Sequence, residues 1–164
     1  MDFNTFEKMW IDSRLPVKSS RGTSRVEKEW LADMSKLLCV TIQGGGSLTE
    51  QKKLGRYSFD GYYETPDGRK IVLEFHGDYH HCNPKTCDLT KIHPLYKKLN
   101  RDILLKSYWR EIDILQAGYL LFRCWESEYI AFKKKRSIGV LLYRELPGHW
   151  ITEAEVNQCI DLYF

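Results

Sequence analysis

Residues 71–87 read IVLEFHGDYHHCNPKTC, an apolar run that turns into three histidines, two cysteines, a glutamate and an aspartate. Ile71, Val72, Leu73 and Phe75 put apolar side chains on both faces of one extended segment. That pattern predicts a central strand covered on both sides. Glu74 sits inside it, where a carboxylate incurs a desolvation cost unless a partner or a cation meets it. Side chains two apart on a strand share a face, so Glu74 and His76 project together while Phe75 faces the opposite layer. Gly77 begins a turn that carries His81 back toward them.

The flanking segments predict what this strand pairs with. A strand over 57–63 and turn chemistry in TPDG at 65–68 make a hairpin with it. Upstream, Val26, Trp30, Met34, Leu37 and Leu38 fall on one face of a helix over 26–38, with Ser24 and Glu27 in a capping-box pattern. QGGGSLTEQKK, 43–53, reads as a loop. Downstream, Leu99, Ile103, Tyr108, Ile112 and Leu115 mark a long helix over 95–116, ended by the glycine of AGY. YLLFRCWE, 119–126, reads as a buried strand and IGVLLYRE, 138–145, as a further one. The elements describe a small α/β domain, a mixed central β-sheet flanked by helices. Residues 1–22 read as an N-terminal arm, with Phe3, Phe6, Met9 and Trp10 on a short amphipathic helix, and 23–164 as a single domain.

At 164 residues, 43% hydrophobic and 13% aromatic, the chain has enough apolar material for a core. No apolar run approaches the roughly 20 residues that span a bilayer. The acidic, aromatic start MDFNTFEKMW is no signal peptide, so the expected location is intracellular, in the cytoplasm or nucleus, of a host cell if the chain is viral. Five cysteines cannot all pair, and in such a reducing compartment Cys39 and Cys159 are read as core or surface thiols, not bridges. Net charge is only +3, but YKKLNR at 96–101 and FKKKR at 132–136 concentrate positive charge in the second half, which suits a polyanionic ligand.

If Asp60 lies opposite Glu74 across the hairpin, two carboxylates and the His76 imidazole converge at one sheet end. Two carboxylates with open water positions suit Mg²⁺ or Mn²⁺. Such a cation polarises a phosphoryl oxygen, and an adjacent imidazole orients or deprotonates water. Cys82 and Cys87, taken with Cys124 and His81, supply the count for a structural Zn²⁺ site, but Cys-x4-Cys is looser than a paired knuckle and Cys124 falls within a strand.

Asp60, thirteen intervening residues and then EFH resemble the PD-(D/E)XK nuclease pattern, with His76 where lysine usually stands. FDGYY…IVLEFHGDYHH followed by LQAGYLLFRCWESE is similar to the branch that contains the very-short-patch mismatch-repair endonucleases and their phage and giant-virus relatives. The resemblance spans roughly 24–126. It implies a restriction-endonuclease-like core in α-β-β-β-α-β order, metal ligation by Asp60, and active-site roles for His76, His81 and, through RVEKEWL, Glu27. Two departures matter. That branch has no acidic residue where Glu74 stands, and its zinc cysteines are replaced by Asp78 and Ser127.

The expected activity is metal-dependent endonucleolytic hydrolysis of DNA, nicking or structure-selective, by a monomer or homodimer. Asp60 and Glu74 hold the cation and His76 and His81 handle water, while Lys106, Arg110, Lys133, Lys134 and Lys135 contact backbone phosphates. The alternatives are an RNA endonuclease of the same fold and a nucleic-acid-binding subunit without activity.

Overall fold

The computed structural model describes residues 24–44, 52–55, 57–140 and 145–164. The expected arm, most of the glycine-rich loop and 141–144 of the expected last strand lie outside them. The elements follow the order α1 (Arg25–Leu38), β1 (Gln43–Gly44), β2 (Lys53–Leu54), β3 (Tyr57–Ser58), β4 (Gly61–Glu64), β5 (Lys70–His76), α2 (Asp78–His81), α3 (Asn100–Gln116), β6 (Leu120–Trp125), α4 (Glu126–Ser137), β7 (His149–Ile151) and α5 (Glu153–Tyr163). A five-stranded sheet runs β1-β4-β5-β6-β7, and β2 and β3 form a separate ribbon. Only the β5–β6 pair is parallel; the other pairs of the sheet are antiparallel, so the sheet is mixed.

The uninterrupted apolar run explains why β5 is central. Ile71 to His76 are all buried, with β4 on one side and β6 on the other. One face of the sheet carries Val72 and Leu121 under α3 and α5, whose Leu104, Tyr108, Ile112 and Val156 complete that core. The opposite face carries Leu73, Phe75, Phe122 and Cys124 against Trp30, Leu31 and Met34 of α1 and Tyr129 and Phe132 of α4. α1 opens as expected, with Ser24 Oγ accepting from Glu27 N–H. It lies so close to the sheet that a Cβ on Gly61 would come 2.6 Å from Leu31 and 3.3 Å from Leu73. A residue larger than glycine would lift α1, and Glu27 with it, away from β4.

Four expectations change. The strand over 57–63 is two short pieces, because Tyr57–Ser58 pairs with β2 before the chain enters the main sheet at Gly61. The long helix begins at Asn100, not at 95: His93 Nδ1 accepts from the N–H groups of Leu95 and Tyr96, Lys97 takes a positive φ of 55°, and Ile92 pairs with Leu99. The basic run FKKKR is the C-terminal half of α4, a helix the sequence reading did not anticipate, started by Glu128 accepting the Trp125 N–H. Residues 138–140, expected to open a strand, form the turn that closes α4, with Ile138 and Gly139 N–H bonded to Lys134 and Arg136 carbonyls. β7 and α5 were also unanticipated, although Thr152 and Glu155 form a reciprocal capping box. No helix among the described residues is long and apolar enough to cross a membrane.

Candidate active site

Asp60 immediately precedes β4, whose Gly61 pairs with Leu73, so the register places Asp60 beside Glu74. Its Oδ2 accepts the Phe75 N–H at 2.8 Å, pinning the carboxyl to β5. Glu27 reaches the same place from the first turn of α1. Burial raises the pKa of all three carboxyls. Glu74 adds to the rise at Asp60 and Glu27, and Glu27 adds to that at Asp60, which is held well above the usual range. Three carboxyls are therefore crowded against one sheet end.

Arg110 offsets Glu74 and Asp60, and Lys28 offsets Glu27. Arg110 of α3 directs Nη2 to Glu74 Oε1 at 2.8 Å and to Ser58 O at 2.6 Å, and its guanidinium lies over the Tyr57 ring at 5.1 Å. The expected phosphate-binding arginine is thus committed to a carboxylate. Lys106, one turn earlier, lies on the exposed side of α3.

His76 projects with Glu74 toward α3, as the strand period requires. It is 1% exposed. His81, carried back by α2, stacks on it with ring centroids 4.2 Å apart and planes 2° apart. Burial pushes the His76 imidazole well below its usual pKa and His81 down to about 4, so both rings are neutral near pH 7. His81 Nδ1 lies 3.0 Å from Ser107 Oγ, and Ser107 itself donates to Ile103 O. With Nδ1–H as the donor to that hydroxyl, His81 Nε2 keeps the lone pair. His81 is half-buried, so it is the imidazole of the pair that meets solvent.

Behind His76 lies a buried ion pair absent from the sequence reading. Arg123 Nη1 donates to both oxygens of Glu111, at 2.9 and 2.8 Å, and Glu111 Oε1 is 3.9 Å from His76 Nε2. Burial raises the Glu111 carboxyl to about 7 against the pull of Arg123. The legible signal was a charge in each of two apolar patterns: Glu111 beside Ile112 on the inward face of a helix, and Arg123 inside LLFRCW.

The remaining candidates separate. Lys133 pairs with Glu29 at 3.2 Å and Lys135 with Glu145 at 2.9 Å; Lys134 is exposed. All three lie in the second half of α4, in the layer opposite α3. Cys82 is buried, with Sγ 3.6 Å from Asn100 Oδ1, and Cys87 neighbours it; burial and Cys87 push its thiol up to about 12. Cys124 belongs to the other face of the sheet, and His81 is committed to Ser107 and His76, so the four possible zinc donors are not brought together. Asp78 accepts from Asn83 Nδ2 and from Ser127 N–H, tying α2 to the start of α4. His93 is buried with Nε2 3.0 Å from Tyr79 O, and it organises the loop before α3.

That loop and α2 also form a surface beside the site. Tyr79, Ile92 and Leu95 are more than half exposed, and Tyr79, His93 and Tyr96 make a continuous ring cluster with centroids 4.4 and 4.6 Å apart. Lys91, Lys97, Lys98 and Arg101 are exposed around it.

Mg²⁺ or Mn²⁺ is tested by this donor set. Among the described residues, no group of three or more His, Cys, Asp or Glu side chains is arranged as a metal site. Magnesium sites nevertheless form with one or two carboxylates plus water and substrate oxygens. Asp60 and Glu74, adjacent and both raised by burial, with Asp60 raised further by Glu74 and Glu27, fit that requirement. Comparison of the chain with protein-family models, with curated proteins and with solved structures finds no match.

Proposed function

We propose that the chain is a divalent-cation-dependent phosphodiesterase of the PD-(D/E)XK kind, built on a restriction-endonuclease-like core and acting as an endonuclease on DNA. The observation that carries this reading is the pairing of Asp60 with Glu74 at one end of the central strands, crowded by Glu27 and set beside a neutral histidine pair. A site built only for stability would not bring three carboxyls together at a desolvation cost.

Asp60 and Glu74 hold Mg²⁺ or Mn²⁺, which supplies Lewis acidity at the scissile phosphate. Glu27 adds negative charge that strengthens cation uptake. His81 Nε2, unprotonated at neutral pH and oriented through Ser107, accepts the proton of the attacking water. His76 backs the His81 ring as a stacked support and does not itself meet substrate, because it is buried. The aromatic surface around Tyr79, edged with lysines, suits stacking on unpaired bases with backbone charges nearby. Its attachment to nucleic acid weakens with salt.

The test is cleavage of supercoiled DNA, single-stranded DNA and RNA with Mg²⁺, Mn²⁺ or EDTA, by the wild type and by Asp60→Asn and Glu74→Gln. Cation-dependent cleavage lost in both variants is the expected result. Cleavage that survives both, or none by the wild type, rejects the reading, and a preference for RNA moves the substrate to that polymer. Light scattering on the same preparations decides between monomer and homodimer.

A further inference from the structure

The Arg110 side chain is 25% exposed, Glu74 only 4%, and the contact between them is 2.8 Å. Among the described residues, the hydrogen bonds of the guanidinium leave from a single nitrogen, Nη2. Nε, which lies buried, has no hydrogen-bond partner among the described residues. A guanidinium that engages one carboxylate oxygen and one carbonyl through one nitrogen is poorly used as a structural clamp, because its planar fork is suited to two parallel bonds with a carboxylate or phosphate. Its plane rests on the Tyr57 ring, and the Tyr57 hydroxyl donates to Asp113 Oδ2, one turn along α3. Tyr57 thus supplies a fixed surface on which the fork can change partners without leaving the site.

Arg110 and a divalent cation bound at Glu74 would draw on the same carboxylate, whose Oε1 Arg110 holds. Asp60 already has one oxygen taken by the Phe75 N–H, and Glu74 has one taken by Arg110. Two positive charges beside one nearly buried carboxylate repel each other strongly.

Resting on the phosphodiesterase reading, the geometry points to Arg110 as an exchangeable counter-ion. It neutralises Glu74 while no cation is bound. Cation uptake releases it, and its Nε and Nη2 then form the fork that takes the scissile phosphate of a nucleic-acid strand. Cation and substrate therefore bind cooperatively, and Arg110 is the residue through which the coupling passes. Arg110 becomes a substrate-binding group only in the cation-loaded protein.

The experiment is calorimetric titration of Mn²⁺ into substrate-free wild type, Arg110→Gln and Asp60→Asn, with fluorescence anisotropy of a labelled DNA in Ca²⁺ and in EDTA. The expected result is Mn²⁺ binding about tenfold tighter in Arg110→Gln than in wild type. The gain in DNA affinity that Ca²⁺ gives the wild type should disappear in the same variant. Unchanged or weaker Mn²⁺ binding in folded Arg110→Gln, with wild-type binding present and lost in Asp60→Asn, overturns the exchange and leaves the phosphodiesterase reading standing. No Mn²⁺ binding by the wild type rejects both. If Arg110→Gln does not fold, the wild type alone decides: the Arg110 Nε–Hε resonance must shift on Mg²⁺ titration with the same midpoint as the heat, and a resonance that stays put overturns the proposal.

Discussion

The rings of His76 and His81 lie face to face, 4.2 Å between centroids, with only the outer one reaching solvent. The two histidines therefore separate in their effects. His81→Asn should leave the unfolding free energy within about 1 kcal/mol of wild type and reduce cleavage about a hundredfold or more. His76→Ala should instead cost about 2 kcal/mol or more of stability, because it empties a buried site against Trp125. Urea unfolding and initial cleavage rates on both variants check this, and wild-type rates in His81→Asn would remove it from the chemistry.

Under the proposed function, Asp60 exchanges stability for activity. Burial, then Glu74 and Glu27, disfavour its charged form, while its Oδ2 takes the Phe75 N–H. Asp60→Asn keeps an acceptor for that N–H and removes the repelled charge. At pH 7 without divalent cation it should be more stable than wild type by about 1 kcal/mol, and inactive. Thermal melts with and without Mg²⁺ check it: the cation should raise the wild-type melting temperature and leave the variant where it was. A variant less stable than wild type in EDTA contradicts the account.

Glu111 makes stability fall as pH rises. Its carboxyl holds a proton up to about pH 7 in the native state and to about 4.5 when unfolded. Its contribution is fully present below 4.5 and is lost as pH climbs through 7, by about 3 kcal/mol for this nearly inaccessible group. His81, lowered to about 4, and His76, lowered well below 6.5, act in the opposite direction, costing stability as pH falls below 6.5. Comparison with Glu111→Gln isolates the carboxyl. Between about pH 5 and 8 the wild type should lose about 3 kcal/mol relative to that variant in urea unfolding. Parallel stability curves would mean that Arg123 keeps Glu111 ionised throughout.

Tyr79 offers more than half of its surface to solvent beside His93 and exposed lysines. Tyr79→Ala should weaken single-stranded DNA binding in Ca²⁺ about tenfold, the loss expected for one stacked base. Trp150→Ala, on the far edge strand, should leave that binding unchanged. Equal effects from the two would mean that the Tyr79 surface does not bind the strand.

The fold was legible wherever side-chain periodicity coincided with burial. β5, the body of α3 and β6 follow it, as does the α1 stripe except at Leu37, which is exposed. The start of α3 was not legible, because Leu95 fits the helical pattern and only the His93 ring, turned onto the N–H groups of residues 95 and 96, halts the helix short of it. α4 was missed because its run of lysines reads as a solvated stretch. In the structure Lys133 and Arg136 bond across to Glu29 and Asp33 of α1, partners about a hundred residues away.

The sequence by itself determined that Glu74 and His76 share one face of a buried strand with Phe75 on the other, since strand geometry alternates side chains whatever surrounds them. That Asp60 stands beside Glu74 was left open by the sequence; it follows from the observed register, in which Glu64 pairs with Lys70 and Gly61 with Leu73. Which charge neutralises which was decided only in three dimensions. α3 crosses the β5–β6 pair so that Arg110 meets Glu74, 36 residues away, while its neighbour Glu111 meets Arg123. Consecutive helical residues point about 100° apart, so the two neighbours serve different sites, and only the placement of the helix over the sheet says which.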